Sequence, residues 1–274
     1  MLQRLPGVPY PTSTDVGAKL FSVPRDSSRH VPVVRLWEVA IRDPIADVRR
    51  RLGRAPRPAA KLRSIIRAWW SDHGFADLPA SVGKRVAFAL LERRGACDQL
   101  TGIIVLQQPL GEQLRASDLP GFARLFAKPH LDDAMVVDMF ATNVLGTLLA
   151  RETGRGDVIR GLAQWRNAST RWQRRAACLA LATLAPRGDA VDGLTDAILL
   201  VCATVVWSPE AEDQSAVGML LRELSRAEPV CTVAFFRRYA RLMSRSCART
   251  VVTKLPAPLR SELLAHHRRA TTIS

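Results

Sequence analysis

From residue 33 almost to the C-terminus, apolar side chains recur at helical spacing, and no convincing strand-like alternation appears. Gly, Pro and polar residues interrupt that pattern at short intervals. Each helix is therefore short and must bury its apolar stripe on a neighbour. The spacing predicts helices near 33–52, 60–72, 80–94, 97–108, 117–127, 132–152, 156–166, 170–184, 190–206, 209–226, 228–243, 245–254 and 257–267. Gly154 and Gly156 mark one break, Pro186 and Gly188 another. At Ser208-Pro209-Glu210 a hydroxyl N-cap, Pro at the first helical position and acids in the first turn predict a helix start. Short helices with short connections predict an all-α fold, an α-solenoid of stacked antiparallel helix pairs over residues 33–270. Residues 1–32 hold five prolines (Pro6, Pro9, Pro11, Pro24, Pro32) and little periodicity, and read as an irregular arm.

The 274 residues are 47% hydrophobic, enough for a sizeable core. Lys and Arg number 40 against 25 Asp and Glu, a net charge of +15. Such a field favours polyanions, nucleic acid first and an acidic membrane surface second, unless the basic residues are simply dispersed over the surface. Only Lys19, Lys61, Lys84, Lys128 and Lys254 are lysines. The arginine fork suits phosphate, although a G+C-rich genome produces the same skew. Cys97, Cys178, Cys202, Cys231 and Cys247 form no C-x-x-C pair and mostly lie in apolar helical runs, as buried free thiols of a reducing cytoplasm would. The N-terminus, MLQRLPGVPYPTST, has no apolar segment of signal-peptide length and no stretch reaches membrane-spanning length without charge, so a soluble, cytoplasmic protein is expected, and it is taken to be a monomer. The phosphate-loop, dinucleotide-fold, zincin and hydrolase-elbow motifs are all missing, and His30, His73, His130, His266 and His267 have no metal-ligand spacing. Neither cofactor nor metal is expected.

Three stretches are chemically unusual. In STRWQRRAACLAL (169–181), Trp172, Ala176, Leu179 and Thr183 share one stripe of the helical wheel. Arg175 borders that stripe, whereas Arg174 and Arg171 point towards solvent. A guanidinium at the edge of a packed face makes either a phosphate clamp or an intrahelical or inter-repeat salt bridge. In HLDDAMVVDMFATNVLGTLL (130–149), Asp132 and Asp133 suit a helix start. Asp138, between Val137 and Met139, falls in the second turn of a helix with scarcely any polar face, and needs a cap or an arginine from the next helix. In DQSAVGMLLREL (213–224), Val217, Leu220, Leu221 and Leu224 make a buried stripe, Gly218 marks a close approach or an opening, and Arg222 lies beside the packed face. Arg237, Arg238, Arg241, Arg245 and Arg249 extend the positive surface.

VVDMFATNVLG (136–146), RWQRRAACLAL (171–181) and AVGMLLREL (216–224), followed by the boundary Glu228-Pro229, resemble in order and spacing the AlkD family of alkylpurine DNA glycosylases, which are built of HEAT-like repeats. The resemblance covers roughly 130–260 and is weaker upstream. It implies a HEAT-like solenoid that cradles double-stranded DNA and hydrolyses the N-glycosidic bond of cationic N3- or N7-alkylated purines without a metal. The family's catalytic aspartate falls on Asp138, where a carboxylate would stabilise an oxocarbenium-like sugar. Its backbone-contacting arginine falls on Arg175, with Arg222 and Arg174 as further DNA-binding candidates. The lesion cleft would comprise Ala134, Met219 and Trp172. Ala134 and Met219 stand where the family has aromatic residues, so cation–π contact with a small methylated purine is weakened. Either the cleft is widened for a bulky adduct, as in a self-resistance enzyme of an alkylating-antibiotic producer, or the protein binds DNA without catalysis. A non-catalytic helical-repeat module for DNA or a protein partner is the alternative.

Overall fold

A computed structural model describes residues 33–53, 59–128 and 130–272. Two compact units divide the chain at Ala40/Ile41, and of the first only the helical backbone of residues 33–40 is described. The expected irregular arm, 1–32, lies outside the described residues. These residues form α-helices and 3-10 turns, with one π turn and no strand. The α-helices are α1 (Val33–Leu52), α2 (Ala59–Asp72), α3 (Ala80–Leu91), α4 (Ala96–Gln107), α5 (Leu119–Ala127), α6 (Ala134–Phe140), α7 (Gly146–Ala150), α8 (Arg155–Gln164), α9 (Arg171–Leu184), α10 (Leu194–Val205), α11 (Ala211–Leu224), α12 (Pro229–Tyr239), α13 (Arg245–Val251) and α14 (Ala257–Thr272).

Within the second unit the fold is an α-solenoid of two helix layers. In one layer α4 packs on α6, α6 and α7 on α9, α9 on α11, and α11 on α13. In the other, α8 packs on α10 and α12 on α14. Side-chain contacts fix the direction of the first layer. Asp138 meets Arg175 and Gly146 approaches Thr183, both offset by 37 residues (175 − 138 and 183 − 146), so α6–α7 and α9 run parallel. Arg171 meets Glu210 and Arg174 meets Asp213, both 39 apart, so α9 and α11 do too. The helix between each such pair must then run back, which makes consecutive helices antiparallel.

One continuous apolar core joins the helices, from Ile45 and Trp69 through Phe122, Phe140 and Leu181 to Leu220 and Val251. The Trp69 indole anchors α2 to α1 by donating to the Pro44 carbonyl at 2.9 Å. The close approach of α3 and α4 needs Gly102, where a Cβ would lie 2.9 Å from the Ala87 carbonyl oxygen and 2.8 Å from Leu91 Cγ. Val217, Leu220, Leu221 and Leu224 are fully buried, and α12 starts at Pro229 as the sequence predicts. The start of α11 differs from expectation. It begins at Ala211 with Glu210 as N-cap, and Ser208 Oγ accepts only from Glu210 N, at 3.3 Å. The Gln214 amide takes the Ser208 carbonyl at 2.9 Å, leaving it no helical partner.

Cys178, Cys202 and Cys247 are buried, Cys231 is half-buried and Cys97 is exposed, all as free thiols. Burial pushes Cys178 up to about 12, reinforced by the Asp213 carboxylate and opposed by Arg175 and Arg174. Burial alone pushes Cys247 up to about 12.

Two outcomes are expected. Gly102→Ala lowers stability by about 1–3 kcal/mol, because the contacted atom is backbone and cannot rotate away; an unchanged urea midpoint would contradict this close approach. Thiols of the unfolded chain ionise near 9.0, whereas native Cys178 and Cys247 stay protonated to about 12. Their contribution is complete below pH 9 and is lost between pH 9 and about 12. The urea midpoint therefore falls through that range, and Cys178→Ala makes the fall shallower; an identical slope in the variant would refute the assignment.

Candidate functional site

Asp133 starts α6 by accepting from Met135 N at 2.9 Å and Val136 N at 3.1 Å. Asp138 then emerges in the second turn. After Phe140 the helix widens into a π turn, Ala141–Leu145, before resuming as α7. The buried residues show why: Val136, Phe140, Val144 and Leu148 recur every fourth position, as do Val137, Ala141, Leu145 and Leu149. A four-residue period drifts by about 40° per repeat in an α-helix, and the extra residue of a π turn takes up that drift. Asp138 and Gly146 would otherwise point about 80° apart. Here both meet α9, Asp138 at Arg175 and Gly146 at Thr183, where a Cβ would lie 3.1 Å from Thr183 Cγ2. Thr142 Oγ1 donates to the Asp138 carbonyl at 2.8 Å at the start of this turn.

The Arg175 guanidinium grips Asp138 with both prongs, Nε to Oδ1 and Nη2 to Oδ2, each at 2.7 Å. Its Nη1 donates to the Glu212 carbonyl at 3.3 Å. The Arg175 side chain is 9% exposed and that of Asp138 38% exposed, so a carboxylate at the surface is held from beneath by a buried cation. Planar two-point pairing fixes the rotation of the carboxylate as well as its distance.

Arg174 is not solvated, contrary to the wheel. Its side chain is 16% exposed and binds the fully buried Asp213 through Nε at 3.0 and 3.2 Å and Nη2 at 2.5 Å. Its Nη1 donates to the carbonyls of Ala168 at 2.7 Å and Ser169 at 3.2 Å. The wheel allows α9 a single buried face, but α9 packs on α6–α7, α8, α10 and α11, and Arg175 to Leu181 are all buried. Arg171 is exposed as expected, yet it pairs with Glu210 at 3.4 Å and Glu212 at 3.6 Å, and lies over the Trp172 ring at 5.2 Å. Thr183, placed in the packed stripe by the wheel, is exposed.

The remaining candidates are spread along the same layer. Ala134 is exposed at the first position of α6, one turn before Asp138. Trp172 and Met219 are half-buried against the core. Arg222, in the last turns of α11, is held by Glu223 through Nε at 2.9 Å and Nη2 at 2.8 Å. Hollows of about 430 Å³ beside Trp70 and Gln108, and about 700 Å³ beside Arg115 and Arg151, are not lined by Asp138. Among the described residues no group of His, Cys, Asp and Glu could hold a metal, and no helix is long and apolar enough to cross a membrane.

Asp213 and Gln214 were not singled out by sequence, although they carried a signal. The dipeptide Asp-Gln occurs at 98–99 and 213–214, both times at the third and fourth positions of a helix in this layer. Both aspartates are buried and ion-paired, Asp98 by Arg49 and Arg93. Both glutamines donate to the carbonyl eight residues back, of Leu91 or Val206, and to a carbonyl beyond, of His130 or Leu242.

Residues 58–255, which contain Asp138, Arg174, Arg175, Asp213 and Arg222, match the DNA alkylation repair enzymes. The chain belongs to that family. No curated protein and no solved structure matches it. As a member of a DNA alkylation repair family, the protein has DNA as its implied partner, in keeping with its net charge of +15.

The two arginine pairs should differ in their effect on stability. Arg174→Ala, which strands the buried Asp213 carboxylate, is expected to cost about 3–5 kcal/mol. Arg222→Ala, at a more exposed pair, should cost less than about 1 kcal/mol. Equal losses in urea unfolding would contradict the burial described for Asp213.

Proposed function

We propose that this protein is a DNA glycosylase that hydrolyses the N-glycosidic bond of cationic N3- or N7-alkylated purines in double-stranded DNA. The observation that carries this reading is the part-exposed Asp138 carboxylate, held in one orientation by Arg175, in a chain of net charge +15. Breaking the bond leaves positive charge on the sugar, and a fixed carboxylate stabilises that charge without reorganising. Asp138 also has the geometry to orient the attacking water. An alkylated purine is already cationic and leaves without a separate acid, so a single carboxylate suffices.

Arg175 has five N–H groups. Two are engaged by Asp138 and one by Glu212, which leaves two for a phosphate oxygen beside the lesion. Arg222, at the far end of α11, is a second candidate for the backbone. Arg174, committed to Asp213, is withdrawn from that role. The HEAT-like, AlkD-like subtype accords with the two-layer stack and with Asp138 and Arg175 meeting across adjacent helices. Exposed Ala134 leaves the approach to Asp138 uncovered by a large ring, which favours a bulky adduct and a self-resistance role for the enzyme. A second reading, a DNA-binding module without catalysis, draws on the same pair, since Arg175 gives Asp138 a sufficient structural partner.

Asp138→Asn separates the two readings. Under the first, base release from N7-methylguanine or N3-adduct duplexes falls by about 100-fold or more while DNA binding stays near wild type. Comparable release by the variant would overturn the role of Asp138. Absence of release even from the wild-type protein would leave the binding module.

A further inference from the structure

The Arg174–Asp213 pair is unused by the chemistry above, and a buried ion pair is seldom more stabilising than apolar side chains of the same volume. Its place in the fold gives it another task. Arg174 and Arg175 are consecutive on α9, and they are bound by consecutive residues of α11, the Asp213 side chain and the Glu212 carbonyl. The first turn of α11 is itself braced on both sides. Gln214 Nε2 donates to the carbonyls of Val206 and Ser208 at 2.9 Å and of Leu242 at 3.1 Å, and Gln214 Oε1 accepts from Ser244 N at 2.8 Å. Arg174 also ties down the residues just before α9, through the Ala168 and Ser169 carbonyls. The start of α9 thus cannot slide or rotate on α11 without breaking these bonds. Arg175, the next residue, is delivered to Asp138 from a fixed base.

We propose that Asp213, acting through Arg174, is a positioning residue that fixes the Arg175 fork on Asp138 and thereby sets the rate of base excision more than DNA affinity. The effect on rate rests on the reading of Asp138 as the excising carboxylate. The effect on Arg175 does not.

The test replaces the pair by apolar residues of similar size, Arg174→Met with Asp213→Leu, which leaves no stranded charge. Three quantities are measured: the Arg175 Nε–H signal by ¹⁵N NMR, single-turnover base release from an N7-methylguanine duplex at saturating protein, and the Kd for that duplex. In the wild type the Arg175 Nε–H is protected by its bond to Asp138. In the double variant that protection should be lost and excision should slow by about 10- to 100-fold, since small misplacements of catalytic groups cost rates of that order, while Kd weakens by no more than the loss of about one phosphate contact, a few-fold. In an Arg175→Ala background the same double change should slow excision no further.

An unchanged Arg175 signal would overturn the proposal, as would an equal rate loss in the Arg175→Ala background. If the wild type releases no base, the glycosylase reading fails while the NMR signal still decides whether Asp213 positions Arg175. If the double variant does not fold, Arg174→Lys serves instead. It keeps the charge but cannot reach Asp213 and the 168–169 carbonyls together, and the same loss of Arg175 protection is expected. Retained protection there would likewise overturn the proposal.

Discussion

Two neighbouring arginines on one helix grip carboxylates of two different helices. Arg175 reaches back to Asp138 on α6, and Arg174 reaches forward to Asp213 on α11. The apolar faces between these helices supply most of the attraction, but that attraction is non-directional and tolerates sliding. Planar, charge-assisted pairing tolerates little. The offsets of 37 and 39 residues between neighbouring helices of the site layer are held by these two pairs together with the Gly146–Thr183 and Arg171–Glu210 contacts.

The consequence for the surface is that one carboxylate is presented rather than buried. Asp138 is held by Arg175, precedes the π turn that brings the rest of its helix onto α9, and stays 38% exposed, with Ala134 and Met135 exposed in the preceding turn. Such a carboxylate suits a substrate too large to be enclosed. A DNA duplex lying across the layer would bring its phosphates to the remaining donors of Arg175 and its sugars to Asp138. Arg174 is occupied instead by the Asp213 carboxylate and the Ala168 and Ser169 carbonyls.

Much of this was legible in the sequence, with particular exceptions. The helices, the Asp133 cap, the Pro229 boundary and the buried stripe of α11 follow from local chemistry, which periodicity reports well. The need of Asp138 for a partner follows from the cost of leaving a carboxylate unpaired, although that partner, Arg175, comes from the helix after the next one. Arg174 was misread because a helical wheel assumes one buried face, and α9 has neighbours on several sides. The π turn escaped notice because its apolar residues were read as an ordinary helix, although their strict four-residue period is longer than an α-helix sustains. Nothing in the local pattern singles out Asp213 and Gln214. Only the repeat of the same dipeptide at Asp98–Gln99 hinted that they are buried and bonded.

The central claim is that Asp138 on this layer makes an enzyme of a DNA-gripping surface. The most direct measurement incubates the wild-type protein, without added metal, with duplexes carrying N7-methylguanine or a bulky N3-adenine adduct, and quantifies free base and abasic sites together. The account predicts release of base from at least one duplex, with one abasic site for each base released. Binding of both duplexes with neither free base nor abasic sites above the uncatalysed background would contradict it.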